Sequence, residues 1–467
     1  MGRRHGKFSV VAGVPGDHPK PLREGVLRRN ILHAGAANLK YEIREIVGAA
    51  HEIQGLGQEI TWENIGDPVA KGEKPPQWIR DIVAGLLEQP ESWAYCETRG
   101  VPHVREFLAK EVNRRDGVRV TPEDIVFFNG LGDAVAKVYG FLSREARILG
   151  PSPAYSTHSS AEAAHSGYSH VTYELDPYNG WLPDLDDIRN KVKYNDSIAG
   201  ILLLSPDNPT GAVYPRDVLE EIAEIAREND IFIIADEIYA NIVYDGRGHL
   251  HMSEWIGDVP GIAMRGISKE YPWPGARCGW LEVLNKGRDR TFARYIDSLV
   301  AAKRLEVSST TLPQMSIPLV MSDERYPGHL AGREAMFAER AEEVAEAFAG
   351  CEHVIVNKPR GAFYYTVMFK DGVLNGNQTL EVHPKIRPTI ERMVAGVEPD
   401  KRFVYYLMGA TGIVVVPLTG FQCSHHGFRA TLLESDDAKR AWILRTLRES
   451  IETYVASGAY VPAARVG

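Results

Sequence analysis

Gly266-Ile267-Ser268-Lys269-Glu270-Tyr271-Pro272-Trp273-Pro274-Gly275-Ala276-Arg277-Cys278-Gly279-Trp280 separates two apolar runs, Gly261 to Met264 before it and Cys278 to Val283 after it. Short apolar runs bounded by Gly and Pro are expected as buried strands. A lysine placed where strand meets loop can be desolvated, which lowers its pKa and makes its amine a nucleophile toward a carbonyl. Arg277, eight residues on and inside a Pro-Gly turn, offers a planar fork of donors for a phosphate. The stretch therefore suggests that Lys269 carries an aldehyde cofactor as a Schiff base and that Arg277 holds the cofactor's phosphate. The competing reading is a Ser-Lys pair exposed on the surface, the commoner use of lysine. Partners elsewhere in the chain must decide between the two.

Outward from this stretch, helix and strand patterns alternate from Gln77 onward, which predicts α/β layers around a largely parallel sheet. Ile79 to Leu87 and Val104 to Val112 read as helices. Ile125 to Phe128 reads as a strand that runs into Asn129-Gly130-Leu131-Gly132-Asp133, after which Ala134 to Leu142 is helical again. Such a turn presents backbone N–H groups at a positive helix end, a ready anion site, although a plain strand-to-helix turn looks the same. Further strands are expected at Ala199 to Ser205, Ile231 to Ala235 and Cys278 to Val283, with a helix from Val218 to Asn229.

Upstream, Ile43, Ile46, Val47, Ala50 and Ile53 recur at helical spacing as far as Gly55-Leu56-Gly57. A strand edge at Trp62 to Pro68 and the pair Pro75-Pro76 follow. Downstream of Tyr326-Pro327-Gly328, helices at Ala335 to Phe348 and Lys439 to Tyr454 bracket strand-like Ala362 to Phe369 and Gly412 to Pro417.

The bulk numbers exclude several classes. At 467 residues the chain needs two or three units. Its net charge of −9 comes from 62 acids and 53 bases spread along the chain, so nothing attracts nucleic acid or a membrane surface. The four cysteines (Cys96, Cys278, Cys351, Cys423) form no Cys-x-x-Cys pair, which argues against metal or disulfide scaffolding and makes a reducing cytoplasm the default. The basic start Met1 to Lys7 leads into only seven mildly apolar residues before Pro15, too few for a signal peptide. No run approaches the ~18–20 apolar residues that span a bilayer. His425-His426 lacks the spacing of metal ligands, and the acidic Glu339 to Glu346 reads as a solvated helix face.

Catalytic residues of an α/β sheet gather where strand C-termini meet loops. Ser205-Pro206-Asp207-Asn208-Pro209-Thr210-Gly211 follows one expected strand, Asp236-Glu237-Ile238-Tyr239 the next, and Lys269 a third. An aspartate closing an apolar strand is costly to bury unless paired. A pyridinium nitrogen would be such a partner, and the protonated ring would accept electrons from an attached amino acid. Asn208 and Tyr239 could donate to a phenolic oxygen on that ring.

The ordered set Tyr95-x4-Gly100, Asn129-Gly130-Leu131-Gly132, Pro153-Ala154-Tyr155, Asn208-Pro209-Thr210-Gly211, Asp236-x2-Tyr239, Ser268-Lys269, Arg277 and Gly427-Phe428-Arg429 resembles the fold type I aminotransferases that use pyridoxal 5′-phosphate. The resemblance covers about residues 40 to 455. Gly180 to Ile188 and Asn208 to Tyr214 look like the alanine-aminotransferase-like branch.

The resemblance implies a large cofactor-binding domain with a mostly parallel, mixed sheet flanked by helices, plus a smaller α/β domain. On that plan residues 1–40 form an arm, 41–75 the first part of the small domain, 76–325 the large domain and 326–467 the rest of the small one. It also implies that Lys269 anchors the cofactor and shuttles a proton, that Asp236 pairs with the pyridine nitrogen, and that Asn208 and Tyr239 hold the phenolic oxygen. Tyr155 would stack on the ring. The amides of Gly130 and Leu131, Ser268, Arg277 and Tyr95 from a second subunit would bind phosphate, which implies a homodimer. Arg429 would clamp the substrate α-carboxylate, Gly66 would let substrate approach the backbone, and Tyr41 would gate the site. Substrates would be an L-amino acid and a 2-oxo acid, with alanine, aspartate or glutamate and 2-oxoglutarate the family's usual currency.

Three departures from the family pattern stand out. Gly266 occupies a position, three before the lysine, where relatives often carry a hydroxyl residue. Pro272 and Pro274 stiffen the loop after it. An apparent insertion at about 370–402 reads as a solvated excursion, with Arg387 as a charge that could instead reach the substrate pocket. A lyase, decarboxylase or cyclase on the same scaffold would share the Lys, Asp and Arg framework. A transcriptional regulator with such a domain would need a DNA-binding domain that the first 40 residues do not provide.

Overall fold

The computed structural model describes residues 35–36, 42–244, 246 and 248–458. Tyr41 and nearly all of the arm expected over residues 1–40 lie outside the described residues. The first half of the described chain holds strands β1 (Thr61–Trp62), β2 (Ile125–Phe128), β3 (Arg147–Ser152), β4 (Thr172–Asp176), β5 (Leu182–Pro183), β6 (Ile198–Leu204) and β7 (Phe232–Asp236). The second half adds β8 (Gly261–Gly266), β9 (Gly279–Leu284), β10 (Val354–Val356), β11 (Tyr364–Phe369), β12 (Ile413–Val414), β13 (Val416–Pro417) and β14 (Gly427–Thr431).

Fourteen helices accompany them among the described residues. These begin with α1 (Glu42–Gly55), α2 (Gln77–Leu86), α3 (Pro102–Arg114), α4 (Leu131–Gly140), α5 (Ser156–Ser166), α6 (Leu185–Tyr194) and α7 (Arg216–Glu228). They continue with α8 (Met252–Trp255), α9 (Arg290–Arg304), α10 (Thr311–Met321), α11 (Tyr326–Phe348), α12 (Arg387–Met393), α13 (Pro399–Thr411) and α14 (Asp437–Ser457).

Eight strands form one sheet in the order β2-β9-β8-β7-β6-β3-β4-β5. Strands β4, β3, β6, β7 and β8 run parallel, side by side. Helix α7 is the crossover that a parallel β6–β7 neighbour needs. Between β8 and β9 there is no such helix, only the Lys269 loop with a short 3-10 turn at Pro274–Ala276, so β9 returns antiparallel, with Gly266 opposite Gly279. That hairpin places the exit of β8, and hence Lys269, beside the entry of β9, and hence Arg277. The Asn208, Asp236 and Lys269 turns leave three adjacent parallel strands at the same edge.

Side-chain alternation along these strands supplies a core on each face. Ile201, Leu203, Ile233, Ala235, Ala263 and Phe127 pack with α3 and α7 residues such as Leu108 and Ile222. Leu202, Leu204, Ile234, Ile262, Met264 and Phe128 face the other way, against Val138 of α4 and Ile296 of α9. Burial on both faces explains why the central strands read as continuous apolar runs.

A separate four-stranded antiparallel sheet, β10-β11-β14-β13, carries the third core with α1, α11, α13 and α14. Its leading helix α11 starts at Tyr326, nine residues before the expected position, because Pro327 is suited to a first helical turn. The expectation of a solvated excursion at about 370–402 is corrected. Leu380, Val382, Ile386 and Ile390 are buried in this core and α13 runs through it, while Arg387 is exposed. The periodicity of that segment was hidden by its brevity and by Pro384, Pro388 and Pro399.

Phe403 is fully buried, stacked with Phe428 at 5.7 Å and edge-on to Phe369 and Tyr454, each at 5.1 Å. Phe403→Ala is expected to cost about 3–5 kcal/mol, read as a lowered denaturant midpoint. An unchanged midpoint would contradict this packing.

Candidate functional site

A cavity of about 270 Å3 opens at the strand ends, lined by Tyr155, Asn208, Asp236, Tyr239, Ser268, Lys269 and Arg277 together with Leu131 and Gly132. Of three larger cavities, those of about 700 and 600 Å3 contain none of the expected site residues and that of about 470 Å3 contains only Tyr95. Convergent polar groups, more than volume, single out the smaller one.

One end of this cavity is an anion cradle. Gly130 has φ +82°, and a Cβ there would lie 2.5 Å from Arg277 Nη2, so only glycine lets the guanidinium approach the turn. The expectation that the Gly130 amide binds phosphate is corrected, because that N–H donates to the Phe128 carbonyl at 2.8 Å. The amides of Leu131 and Gly132 open α4 and have no preceding helical acceptor, so the two remain for an anion. At Gly266 a Cβ would make a tight contact, 3.1 Å, with the Cys278 carbonyl across the hairpin.

At the other side Asp236, 5% exposed, accepts the Ile238 N–H at 3.1 Å and meets His158 Nε2 at 3.0 Å. His158 is itself fully buried, with Nδ1 3.3 Å from the Tyr139 hydroxyl. Sequence reading missed His158, whose signal was its position one helical turn after Tyr155. Burial pushes the Tyr239 hydroxyl well above its ordinary pKa, and Tyr364 adds to the effect, so Tyr239 is a neutral donor. Its hydroxyl lies 3.0 Å from that of Tyr364.

Arg429, on β14, reaches the same place from the small sheet. It is 1% exposed, donates through Nη1 to Asn208 Oδ1 at 3.1 Å and through Nη2 to the Asn64 carbonyl, and lies 4.5 Å over the Tyr364 ring. Its Nε and both polar atoms of the buried Asn64 amide have no hydrogen-bond partner among the described residues. Gly66 is held open by Tyr364, whose hydroxyl would be 1.9 Å from any Cβ. Asn64 and Tyr364 were also missed, since nothing in their local sequence marks them.

Lys269 Nζ donates to the Gly66 carbonyl at 2.6 Å and lies 5.5 Å from the centre of the Phe363 ring. Desolvation lowers its pKa to about 8. Asp67 opposes this, while Arg429, Arg277 and Arg333 reinforce it. Of the other expected residues, Tyr95 lies outside this cavity and is 82% exposed. Glu237, His249 and His251 form a cluster of metal-ligand types, but Arg265 Nη1 sits 2.6 Å from His251 Nδ1 and 3.3 Å from Glu237 Oε2, in the place of a cation. His426 Nδ1 lies 3.7 Å from Asp400.

A mixed sheet covered on both faces, with a lysine, an aspartate and an asparagine leaving its central parallel strands, defines the class: a fold type I enzyme that uses pyridoxal 5′-phosphate. More particularly, residues 63–442 match the aminotransferase class I and II family, and the chain belongs to it.

An uncharacterized aminotransferase of Methanocaldococcus jannaschii is 52% identical over 430 residues, 92% of this chain and 100% of that protein. The glutamate-pyruvate aminotransferase AlaA of Escherichia coli is 32% identical over 336 residues, 70% of this chain and 80% of that protein. Among solved structures, an alanine aminotransferase from Pyrococcus furiosus superposes with a TM-score of 0.76 at 26% identity, covering 90% of this chain and 98% of its own. No helix among the described residues is long and apolar enough to cross a membrane.

The donor set fits the cofactor: an anion cradle that a Cβ at Gly130 would fill, a buried carboxylate, and an amine of depressed pKa. Because the Lys269 value lies below that of an ordinary lysine, its neutral form predominates above about pH 8 and the ammonium below it. The rate at which cofactor-free protein takes up pyridoxal phosphate is therefore expected to rise with pH through a midpoint near 8 and then level off. A midpoint at the ordinary lysine value would contradict the desolvated amine.

Proposed function

We propose that this aminotransferase moves an amino group between L-alanine and 2-oxoglutarate, giving pyruvate and L-glutamate, by likeness to the glutamate-pyruvate and alanine aminotransferases it resembles. The observation that carries the reading is that Lys269, Asp236 and Asn208 line one small cavity and that Asn208 is hydrogen-bonded to the buried Arg429 of the other sheet. In this reading Arg429 grips the substrate α-carboxylate, helped by Asn208, and so sets the α-carbon near Lys269. Lys269 Nζ takes the proton from that carbon and later returns one, a role suited to a pKa of about 8. Asp236, oriented by His158, would hold a proton on the cofactor's ring nitrogen, and Tyr239 and Asn208 would donate to its phenolic oxygen. Bound pyridoxal phosphate supplies the electron sink. Leu131, Gly132, Ser268 and Arg277 hold the phosphate, and Tyr155 covers the ring face.

The large-domain and small-domain division at residues 76–325 and 326–467, with 41–75 joining the latter, suits this arrangement, since Arg429 and Lys269 belong to different sheets. Tyr95 and Trp93, 82% and 75% exposed, flank a cleft lined by Ser308 to Pro313. We assign that face to a second copy of the chain, so that Tyr95 completes the partner's phosphate site in a homodimer. Four free cysteines suit a cytoplasmic location.

The test is to supply L-alanine, L-glutamate or L-aspartate with each 2-oxo acid and follow both products. Stoichiometric exchange between alanine and 2-oxoglutarate supports the reading; release of ammonia or carbon dioxide instead points to a lyase or decarboxylase. Lys269→Ala is expected to lower turnover at least about 10³-fold. Arg429→Ala removes a charged hydrogen-bonding group worth about 1.5–3 kcal/mol, and should raise the KM for amino acids roughly 10- to 100-fold. A KM left unchanged in that variant would remove Arg429 from the substrate site.

A further inference from the structure

Arg333, on α11, does not line the cavity, yet it is hydrogen-bonded to the backbone of the Lys269 loop. Its side chain is 6% exposed. Nη1 donates to the Lys269 carbonyl at 2.6 Å and to the Glu270 carbonyl at 3.3 Å. The opposite edge of the guanidinium forms a two-point pair with Glu73, Nε to Oε1 at 2.8 Å and Nη2 to Oε2 at 3.1 Å. His329, one turn earlier on α11, adds Nε2 to the Glu270 carbonyl at 3.0 Å.

Glu73 closes a ring of contacts. It ends a compact turn in which its N–H donates to the Pro68 carbonyl at 2.9 Å and Asp67 Oδ1 accepts the N–H groups of Val69 and Ala70 at 2.9 and 3.2 Å. The turn begins at Gly66, whose carbonyl accepts Lys269 Nζ at 2.6 Å. Lys269 is thus held at both ends by one short segment of chain, its amine directly by Gly66 and its carbonyl through Arg333 and Glu73.

We propose that the Arg333–Glu73 pair is a positioning device for Lys269, fixing the backbone from which the amine swings and setting the charge that the amine experiences. The inference rests on Lys269 being the cofactor-bearing residue. Arg333 is one of four charged groups that act on the amine, with Asp67 favouring its protonated form and Arg429 and Arg277 opposing it from β14 and the entry of β9. The Asp236 carboxylate and the Tyr239 hydroxyl line the same cavity from the end of β7. Glu73, paired with Arg333 at 2.8 and 3.1 Å, offsets its charge, so removing one member of the pair must shift the amine one way and removing the other must shift it the opposite way. Loss of a purely structural tie would instead admit water in both cases, and both midpoints would move in the same direction.

The experiment titrates the visible absorption band of the bound cofactor in full-length holoenzyme, which reads the proton at Lys269 Nζ. Glu73→Gln keeps an acceptor for Arg333 and removes the negative charge; its midpoint is expected roughly half to one pH unit below wild type. Arg333→Met should move the midpoint up by a similar amount. Arg333→Lys keeps the charge but loses the fork, and should leave the midpoint near wild type while lowering kcat with little change in KM. A Glu73→Gln midpoint that is unmoved or raised overturns the proposal. Holoenzyme that titrates as expected but does not transaminate retires the substrate reading alone, and holoenzyme that transaminates while its band midpoint is the same in wild type, Glu73→Gln and Arg333→Met overturns the positioning proposal alone.

Discussion

Keeping a lysine amine out of water without leaving it unpaired is the constraint on which the rest of this site depends. Desolvation alone would simply strand a costly ammonium. The protein meets the amine with one backbone carbonyl, that of Gly66, and surrounds it with more positive than negative groups. The carbonyl gives Nζ a place to donate, while the arginines oppose a permanent charge there. What results is a nitrogen that can be neutral near physiological pH and is already oriented.

That arrangement follows from sheet topology. Parallel strands β6, β7 and β8 deliver Asn208, Asp236 and Lys269 to one edge, because each crossover returns the chain to the opposite end of the sheet before the next strand starts. The antiparallel β9 brings Arg277 back to the lysine's own turn. Two glycines opposite each other, Gly266 and Gly279, let the hairpin close tightly.

A second dependence joins sheets. Arg429 belongs to the small sheet, yet its guanidinium contacts Asn208 at the edge of the large one and the carbonyl of Asn64 on the N-terminal segment. The Asn64–Gly66 segment therefore touches Arg429 with one carbonyl and Lys269 with another. Family membership explains the parts held in common with other class I and II aminotransferases. The ties through Glu73 and Arg333 are visible only in how this chain folds.

The α/β class, the strand ends that carry chemistry and the order Asn208, Asp236, Lys269, Arg277, Arg429 were legible in the sequence. Buried parallel strands must be continuously apolar, and a polar residue that terminates such a strand is conspicuous. Residues whose roles come from distant neighbours were not legible. His158 meets Asp236 across 78 positions, Arg333 meets Lys269 across 64, and the Asn64 carbonyl meets Arg429 across 365. The apolar content of 370–402 was equally hidden, since short helices interrupted by proline show no clear period. Local pattern determined which residues could do chemistry. Tertiary packing decided which of them are desolvated, which amides are already spent, as at Gly130, and which charges stand close enough to tune Lys269, because burial and Coulomb interaction depend on distance in space and not along the chain.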